Sequence, residues 1–489
     1  MRVLSPVGAA GWERFDGGNP RESRSLRDSR TCRIRKQAKS PRRVGFGSTR
    51  PKGIDIRKLG QRRTTCNSAF RMHNYRMPGK DGYVTRSLEP VVKRAAREFP
   101  VVVVSGPRQS GKTTLLRRLF AEKYRYVSLE PPDVRAAAAT DPRNFLATYS
   151  PPVILDEVQY APGLLPYVKE TVDRHRAVPG QYLLTGSQNL LLMERVTESL
   201  AGRAAMLRLL PLSWRERVGR PQARLPWEGR SRGVAFDSGP NYGELWKALV
   251  AGGYPELVQK PRRDVQQWHR AYVQTYLERD VRTLRQIGDL TQFQSFLRVL
   301  AARSAQLLSL TDVARDLGIA LNTVKSWLSV LEASFQIITI RPYHANIGKR
   351  LVKTPKVYFT DTGTLCHLVG LSDPRHASVG PMAGAIFETA VLAEILRTIV
   401  HRGEDARVHF WRTSTGQEVD FLIEGGRRLV PIEVKAAATP RAAMASGIEA
   451  LRRAMAGRVA NGFVVHPGEV ELPLTRSVMA LPFARLWDR

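Results

Sequence analysis

Residues 106–113 read Gly-Pro-Arg-Gln-Ser-Gly-Lys-Thr, a spacing of glycine, lysine and threonine suited to gripping a polyphosphate. Gly106 and Gly111 allow the backbone to curl tightly, and the loop through Pro107, Arg108, Gln109 and Ser110 can turn its amides inward on an anion. A helix starting at Lys112, Thr113 and Thr114 would add its positive N-terminal end. Lys112 is expected to reach the β- and γ-phosphates, and the Thr113 hydroxyl to bind Mg2+. Further on, Pro152-Val153-Ile154-Leu155-Asp156-Glu157 ends an apolar run in two carboxylates. Asp156 is placed to hold Mg2+ through water, and Glu157 to polarise a water for attack. Thr185-Gly186-Ser187-Gln188 closes another apolar run, with Ser187 or Gln188 positioned to sense the γ-phosphate. Arg203, after Ala201-Gly202, could reach a nucleotide in its own chain or in a neighbouring subunit. The plain alternatives are an idle acidic strand end, an ordinary turn and a surface arginine. No Asn-Lys-x-Asp guanine reader occurs, which favours ATP.

A second constellation lies near the C-terminus. Glu418-Val419-Asp420-Phe421 and Pro431-Ile432-Glu433-Val434-Lys435 read as two strands. At a period of two, Val430, Ile432 and Val434 share one face, and Glu433 and Lys435 share the other. A hairpin brings Asp420 beside Glu433, giving the Asp…Glu-x-Lys order of a PD-(D/E)xK phosphodiesterase. There Asp420 and Glu433 would bind Mg2+, and Lys435 would orient water at a scissile phosphate. Glu388, on a helix with Phe387, Val391 and Ile395, is a further candidate ligand. The motif is short, so a ribbon carrying an ordinary Glu–Lys pair, or a retained fold without cleavage, stands as the alternative.

These residues need a scaffold, and the apolar pattern supplies one. Four consecutive valines from Val101 precede the phosphate loop, and Leu115, Leu116, Leu119 and Phe120 follow it at helical spacing. Short apolar runs at Tyr126–Leu129, Val153–Leu155 and Tyr182–Leu184 alternate with helices, which predicts an α/β fold with a buried parallel sheet. From about Trp214 to Ile340 the pattern is mostly helical. Leu310–Leu331 has the helix-turn-helix arrangement, with Ala314 small, Gly318 in the turn and Val324 as apolar anchor. Asn322 is a candidate cap for the second helix, and Phe335–Ile338 the start of a wing. The putting of only Lys325 as a cation on that helix weakens direct DNA reading, and the basic stretch 349–356 is a better phosphate contact. The expected units are therefore a basic tail over 1–79, a P-loop core over 80–215, a helical lid with a winged helix (about 307–340) over 216–345, and an α/β unit over 346–489.

The chain has 489 residues and a formal net charge of +33. Through Gly79 there are 20 Lys and Arg against 5 Asp and Glu, so the excess is concentrated there. Such charge suggests a polyanion such as DNA, or an arginine-rich proteome. The tail has few periodic apolar positions and reads as disordered, either a basic arm or translated upstream sequence with Met72 or Met77 as the working start. Cys32, Cys66 and Cys366 lie far apart, which argues against a disulfide framework or a zinc site and fits a reducing cytoplasm. No apolar run approaches the roughly 20 residues of a membrane span.

From Tyr83 onward the sequence resembles AAA-type ATPases fused to a C-terminal DUF4143 domain, found in bacteria and archaea. Beside the phosphate loop, the resemblance rests on Leu155-Asp156-Glu157-Val158-Gln159, Leu184-Thr185-Gly186-Ser187, Gly252-Gly253-Tyr254-Pro255-Glu256 and Tyr276-Leu277-Glu278-Arg279-Asp280. Lys356-Val357-Tyr358-Phe359-Thr360-Asp361-Thr362-Gly363, Glu418–Phe421 and Ile432–Lys435 continue it. It implies an ATPase core, a winged helix and a restriction-endonuclease-like unit. Residues 1–79 and the insertion around 218–240 depart from the pattern. The resulting expectation is an ATPase coupled to DNA handling, with a homo-oligomer open. A nucleotide switch whose inactive nuclease fold binds partners, and a scaffold that holds nucleotide without turnover, are the competing readings.

Overall fold

The computed structural model describes residues 82–187, 199–229, 239–277, 290–343, 354–426, 428–455 and 457–487. The expectations placed on the tail 1–79, on Gln188, on Glu278-Arg279-Asp280 and on the basic residues 349–353 lie outside these.

Helix α1 (Glu89–Glu98) leads into strand β1 (Val101–Ser105), and the loop after it ends in α2 (Lys112–Phe120). Strand β2 (Arg125–Ser128) precedes α3 (Pro132–Thr140) and α4 (Pro142–Thr148); β3 (Val153–Asp156), α5 (Leu165–Arg174), β4 (Tyr182–Gly186) and β5 (Ala204–Arg208) complete this layer. The strands form one all-parallel sheet in the order β2-β3-β4-β1-β5. The unbroken valine run follows from β1 being covered on both faces. Val101 and Val103 pack with Val153, Leu155 and Leu184 on one side, whereas Val102 and Val104 meet Ile154, Leu183 and Leu116 on the other. Parallel pairing sets every carboxyl end on one edge, so Ser105, Asp156 and Gly186 come together where their loops emerge.

Short helix α6 (Trp214–Arg217) opens the second half, followed by α7 (Tyr242–Ala251), α8 (Pro255–Gln259), α9 (Val265–Tyr272) and α10 (Leu290–Ala302). Helices α11 (Leu310–Leu317) and α12 (Leu321–Ala333) are joined through Gly318 at φ 63, a left-handed turn that glycine takes without steric cost. Ser309 caps α11 through the Asp312 amide, but the cap position of α12 is Ala320, so Asn322 lies inside the first turn and does not cap it. Strand β6 (Ile337–Ile340) pairs antiparallel with β7 (Lys356–Phe359). The expected boundary at 345/346 therefore separates two strands that pair with each other.

Beyond β7 come α13 (Thr362–Leu368), α14 (Pro374–Val379) and the 18-residue α15 (Ala383–Val400). A mixed sheet follows, built from β8 (Val408–Arg412), β9 (Glu418–Gly425), β10 (Arg428–Val434), β11 (Gly462–His466), β12 (Leu472–Pro473) and β13 (Val478–Pro482), with α16 (Ser446–Ala454) packed on it. Its order is β12-β13-β11-β10-β9-β8. One apolar core runs from Trp214 to Trp487, and these two rings stack 5.2 Å apart. The end of the chain thus closes over the exit of the parallel sheet.

Candidate active site

The phosphate loop is positioned by close packing that only glycine permits at its first position. A Cβ on Gly106, whose φ is 150, would stand 2.1 Å from the Leu209 carbonyl oxygen. Gly111 takes φ 96 and the intervening Gln109 φ 59, so the chain folds back sharply before α2 begins. Lys112 is buried and its ammonium donates to the Gly106 and Pro107 carbonyls at 3.0 and 2.9 Å. It therefore already lies across the concave side of the loop. The Arg108 guanidinium donates to the Tyr160 hydroxyl at 3.2 Å.

The Thr113 hydroxyl stands 2.8 and 3.0 Å from the two oxygens of Asp156. Asp156 also accepts from Tyr126 at 2.8 Å and from Thr185. Partial burial and then the Asp156 bond push the Tyr126 hydroxyl up to about 12, so it stays a donor. This donor set of hydroxyl and carboxylate oxygens fits a hard divalent cation. Glu157 takes φ 58, a left-handed backbone that a non-glycine residue adopts at a cost of about 1–3 kcal/mol. It is held there by its own N–H on Thr185 Oγ1 at 3.0 Å, by Gln159, and by Ser187 at 3.2 Å. Gln159 Nε2 also reaches Ser187 Oγ at 3.1 Å. The structure thus brings Ser187 to Glu157. Thr185 and Gln159 stood in the stretches that carry the family resemblance without a role assigned to them, and Tyr126 stood only in an apolar run; their nearness to Asp156 and Glu157 in space is what gives them one.

Arg203 is placed elsewhere. It immediately precedes β5, and its carbonyl accepts from Val101, the first residue of β1. In a parallel sheet that is the edge opposite the phosphate loop. Its guanidinium pairs with Asp173 at 2.6 and 3.0 Å. Within one chain Arg203 is therefore corrected from nucleotide contact to a tie on α5.

The C-terminal residues converge, but not as first drawn. Asp420 Oδ2 accepts from the Val434 amide at 2.8 Å, and Lys435 pairs with Glu433. Lys356, reaching in from β7, stands 3.1 Å from Glu388 and 3.6 Å from Asp420, and also pairs with Glu418. Tyr358 donates to Glu388 at 2.6 Å. Glu388 is thus committed to an ion pair and a phenol rather than to a metal. Among the described residues no group of three His, Cys, Asp or Glu side chains is arranged to hold a metal ion. The cluster nevertheless holds more carboxylates than cations, since Glu388, Glu418, Asp420 and Glu433 share Lys356 and Lys435, with only the exposed Arg412 added at Glu418, 3.1 Å away. Burial and then the charge of Asp420 push Glu433 up to about 8 and Glu388 up to about 7. Burial also raises Asp420, against Lys356. Glu433 Oε2 is buried without a hydrogen-bond partner, so Asp420 and Glu433 are the pair with capacity left for a cation.

The fold and the loop define a P-loop ATPase: residues 98–218 match the AAA domain family. Residues 242–375 match a domain of unknown function, DUF8612, and residues 383–486 another, DUF4143. The uncharacterized proteins Rv2008c of Mycobacterium tuberculosis and Mb2031c of Mycobacterium bovis are each 31% identical over 394 residues, covering 80% of this chain and 82% of theirs. At that identity and coverage the chain belongs to one family with them. An uncharacterized protein of Haemophilus influenzae is 22% identical, covering 68% of this chain and 82% of its own. The Walker-type ATPase PABY2304 of Pyrococcus abyssi is similar at 16% identity with a TM-score of 0.40, over 60% of this chain and 97% of that one. Among the described residues no helix is long and apolar enough to cross a membrane.

Proposed function

We propose that this ATPase hydrolyses ATP with Mg2+ and couples turnover to DNA handled by its C-terminal half. In this reading the amides of the loop and Lys112 bind the β- and γ-phosphates. Thr113 and Asp156 would hold the Mg2+, whose chemistry there would be neutralisation of charge on the phosphoryl oxygens. Glu157 takes a proton from the attacking water, and Ser187, bonded to it, registers whether the γ-phosphate is present. The observation that carries the reading is the strained backbone of Glu157, held beside the Thr113–Asp156 contact. A side chain held against its backbone preference at that point is best explained by a task that needs it there.

For the C-terminal half, Asp420 and Glu433 would hold a divalent ion and Lys435 would orient water at a phosphodiester, with α10, α11, α12, β6 and β7 serving as a winged helix. The test uses residues 77–489 with ATP, Mg2+ and duplex, forked and single-stranded DNA. Lys112→Ala and Glu157→Gln are expected to abolish hydrolysis, and Asp420→Ala and Lys435→Ala to abolish Mg2+-dependent nicking. Calorimetry without heat on any purine triphosphate plus Mg2+ would end the ATPase mechanism.

A second reading has its own support. Lys356 pairs with three of the four carboxylates, and Arg303, just before the helix-turn-helix, and Arg315, on it, are paired with Asp316 and Asp312. Both features favour a nucleotide switch whose C-terminal half binds partners without cutting. Absence of nicking across DNA forms and metals, with hydrolysis intact, would select it. A homo-oligomer in which Arg203 meets a neighbour's nucleotide, and a cytoplasmic setting, remain part of the proposal.

A further inference from the structure

Ser110 and Gly111 share one peptide plane, in which the carbonyl and the following N–H point in opposite directions. Whatever holds the Ser110 oxygen outward therefore aims the Gly111 amide into the phosphate cradle. The group that holds it is Arg86, only 3% exposed, whose Nη1 donates to Ser110 O at 2.8 Å. Its Nη2 donates to Leu210 O at 2.6 Å, and its Nε lies 3.1 Å from Glu216 Oε1. With glycine on both sides of the loop, the backbone has little stiffness of its own, so this tie matters.

Glu216 is in turn a hub, 1% exposed. Besides Arg86, its oxygens accept from the Ser87 amide at 2.7 Å, from the Ser213 amide at 2.9 Å and from His401 Nδ1 at 3.1 Å. The other ring nitrogen of His401 accepts from the Leu210 amide at 3.0 Å, which fixes the proton on Nδ1. His401 caps the C-terminal end of α15. Thirteen residues back on that helix, about 20 Å at 1.5 Å per residue, Glu388 enters the carboxylate cluster.

We propose that Arg86 is a positioning residue for nucleotide binding, and that the chain His401–Glu216–Arg86 makes the aim of the Gly111 amide depend on where helix α15 sits. The C-terminal domain is then a working part of the nucleotide site, and α15 is the rod that joins the two sites. This rests on the hydrolytic reading above, but ATP affinity tests it without requiring turnover.

The experiment compares full-length chain with Arg86→Lys, His401→Leu and His401→Gln, each measured well below its own melting temperature. Lysine has one donor head and cannot serve Ser110, Leu210 and Glu216 together. Leucine removes both contacts of the ring, whereas glutamine offers an amide N–H to Glu216 and an oxygen to the Leu210 amide. For Arg86→Lys and His401→Leu, ATP affinity by calorimetry is expected to fall tenfold or more, with KM rising more than kcat falls. His401→Gln is expected to stay within about threefold of the parent, a level that ordinary loss of packing would not restore. Affinities within twofold of the parent for both Arg86→Lys and His401→Leu would overturn the proposal. Equal losses in His401→Leu and His401→Gln would overturn it too. If Arg86→Lys does not fold, the two His401 variants decide alone. A parent that binds ATP but does not turn it over would defeat the hydrolytic reading and leave this one standing.

Discussion

Arg215 meets Glu394 at 3.1 Å, with 1% and 0% of their side chains exposed, and so joins the exit of the parallel sheet to the middle of α15. The same carboxylate accepts from the Trp214 amide at 2.7 Å, and Arg215 Nη2 donates to the Leu486 carbonyl at 2.9 Å. Removing one member leaves an uncompensated buried charge. Glu394→Ala is expected to lose about 3–5 kcal/mol of unfolding free energy in urea. A midpoint unchanged from the parent would show that the pair does not hold the halves together.

Glu157→Gln keeps the shape of the side chain and removes the carboxylate proposed as base. Its kcat should fall by about 10²–10⁴-fold while ATP affinity changes little. A comparable fall from Ser187→Ala, rather than a smaller one, would point to Ser187 as the more important member of that hydrogen-bonded group.

The His401 ring supplies a pH dependence. Burial lowers its proton affinity, opposed by Glu216, while Arg86 and Arg397 add to the lowering. Burial opposes ionisation of Glu216, but Arg86 and His401 outweigh it and hold that carboxyl well below its usual range. Below about pH 6.5 the unfolded chain protonates this histidine and the native chain does not, so stability falls as pH falls. The depressed Glu216 adds to the loss at still lower pH. The melting temperature should drop on the acid side of about 6.5, and His401→Gln should flatten that slope between pH 5 and 6.5. An identical slope in the variant would rule out this histidine as the source.

Lys356→Met removes the ammonium on which Glu388, Glu418 and Asp420 converge. The variant should be destabilised, and Mn2+ without nucleotide should raise its melting temperature more than it raises the parent's. Equal responses would mean that Lys356 and a cation do not compete for these carboxylates.

The parts of this architecture that the sequence made legible are local. Val101–Val104 could be recognised because a strand covered on both faces must be apolar throughout. Gly106, Gly111, Lys112 and Thr113 are confined to eight positions. Asp156 ends a strand and Glu157 follows it, and parallel pairing through β4 sets that strand end on the same edge as the loop. What could not be read depends on long-range meetings of ordinary charges. Arg86, Glu216 and His401 resemble surface residues in sequence, and only burial separates them from the other charged side chains. Lys356 read as part of a basic phosphate-contacting stretch, yet it is drawn inward once β7 pairs with β6. Arg203 looked like a nucleotide contact because chain order does not say which edge of a parallel sheet a residue will occupy.

The joining of Arg86 to His401 through one carboxylate also has a temporal side. A ribosome adding about 5–20 residues per second needs roughly 15–60 s to travel from one to the other. Until then the emerging P-loop lacks the helix end that completes its support. On the proposed tie, a nascent chain stalled before α15 should consequently bind ATP weakly, so that competence for nucleotide arrives late in synthesis.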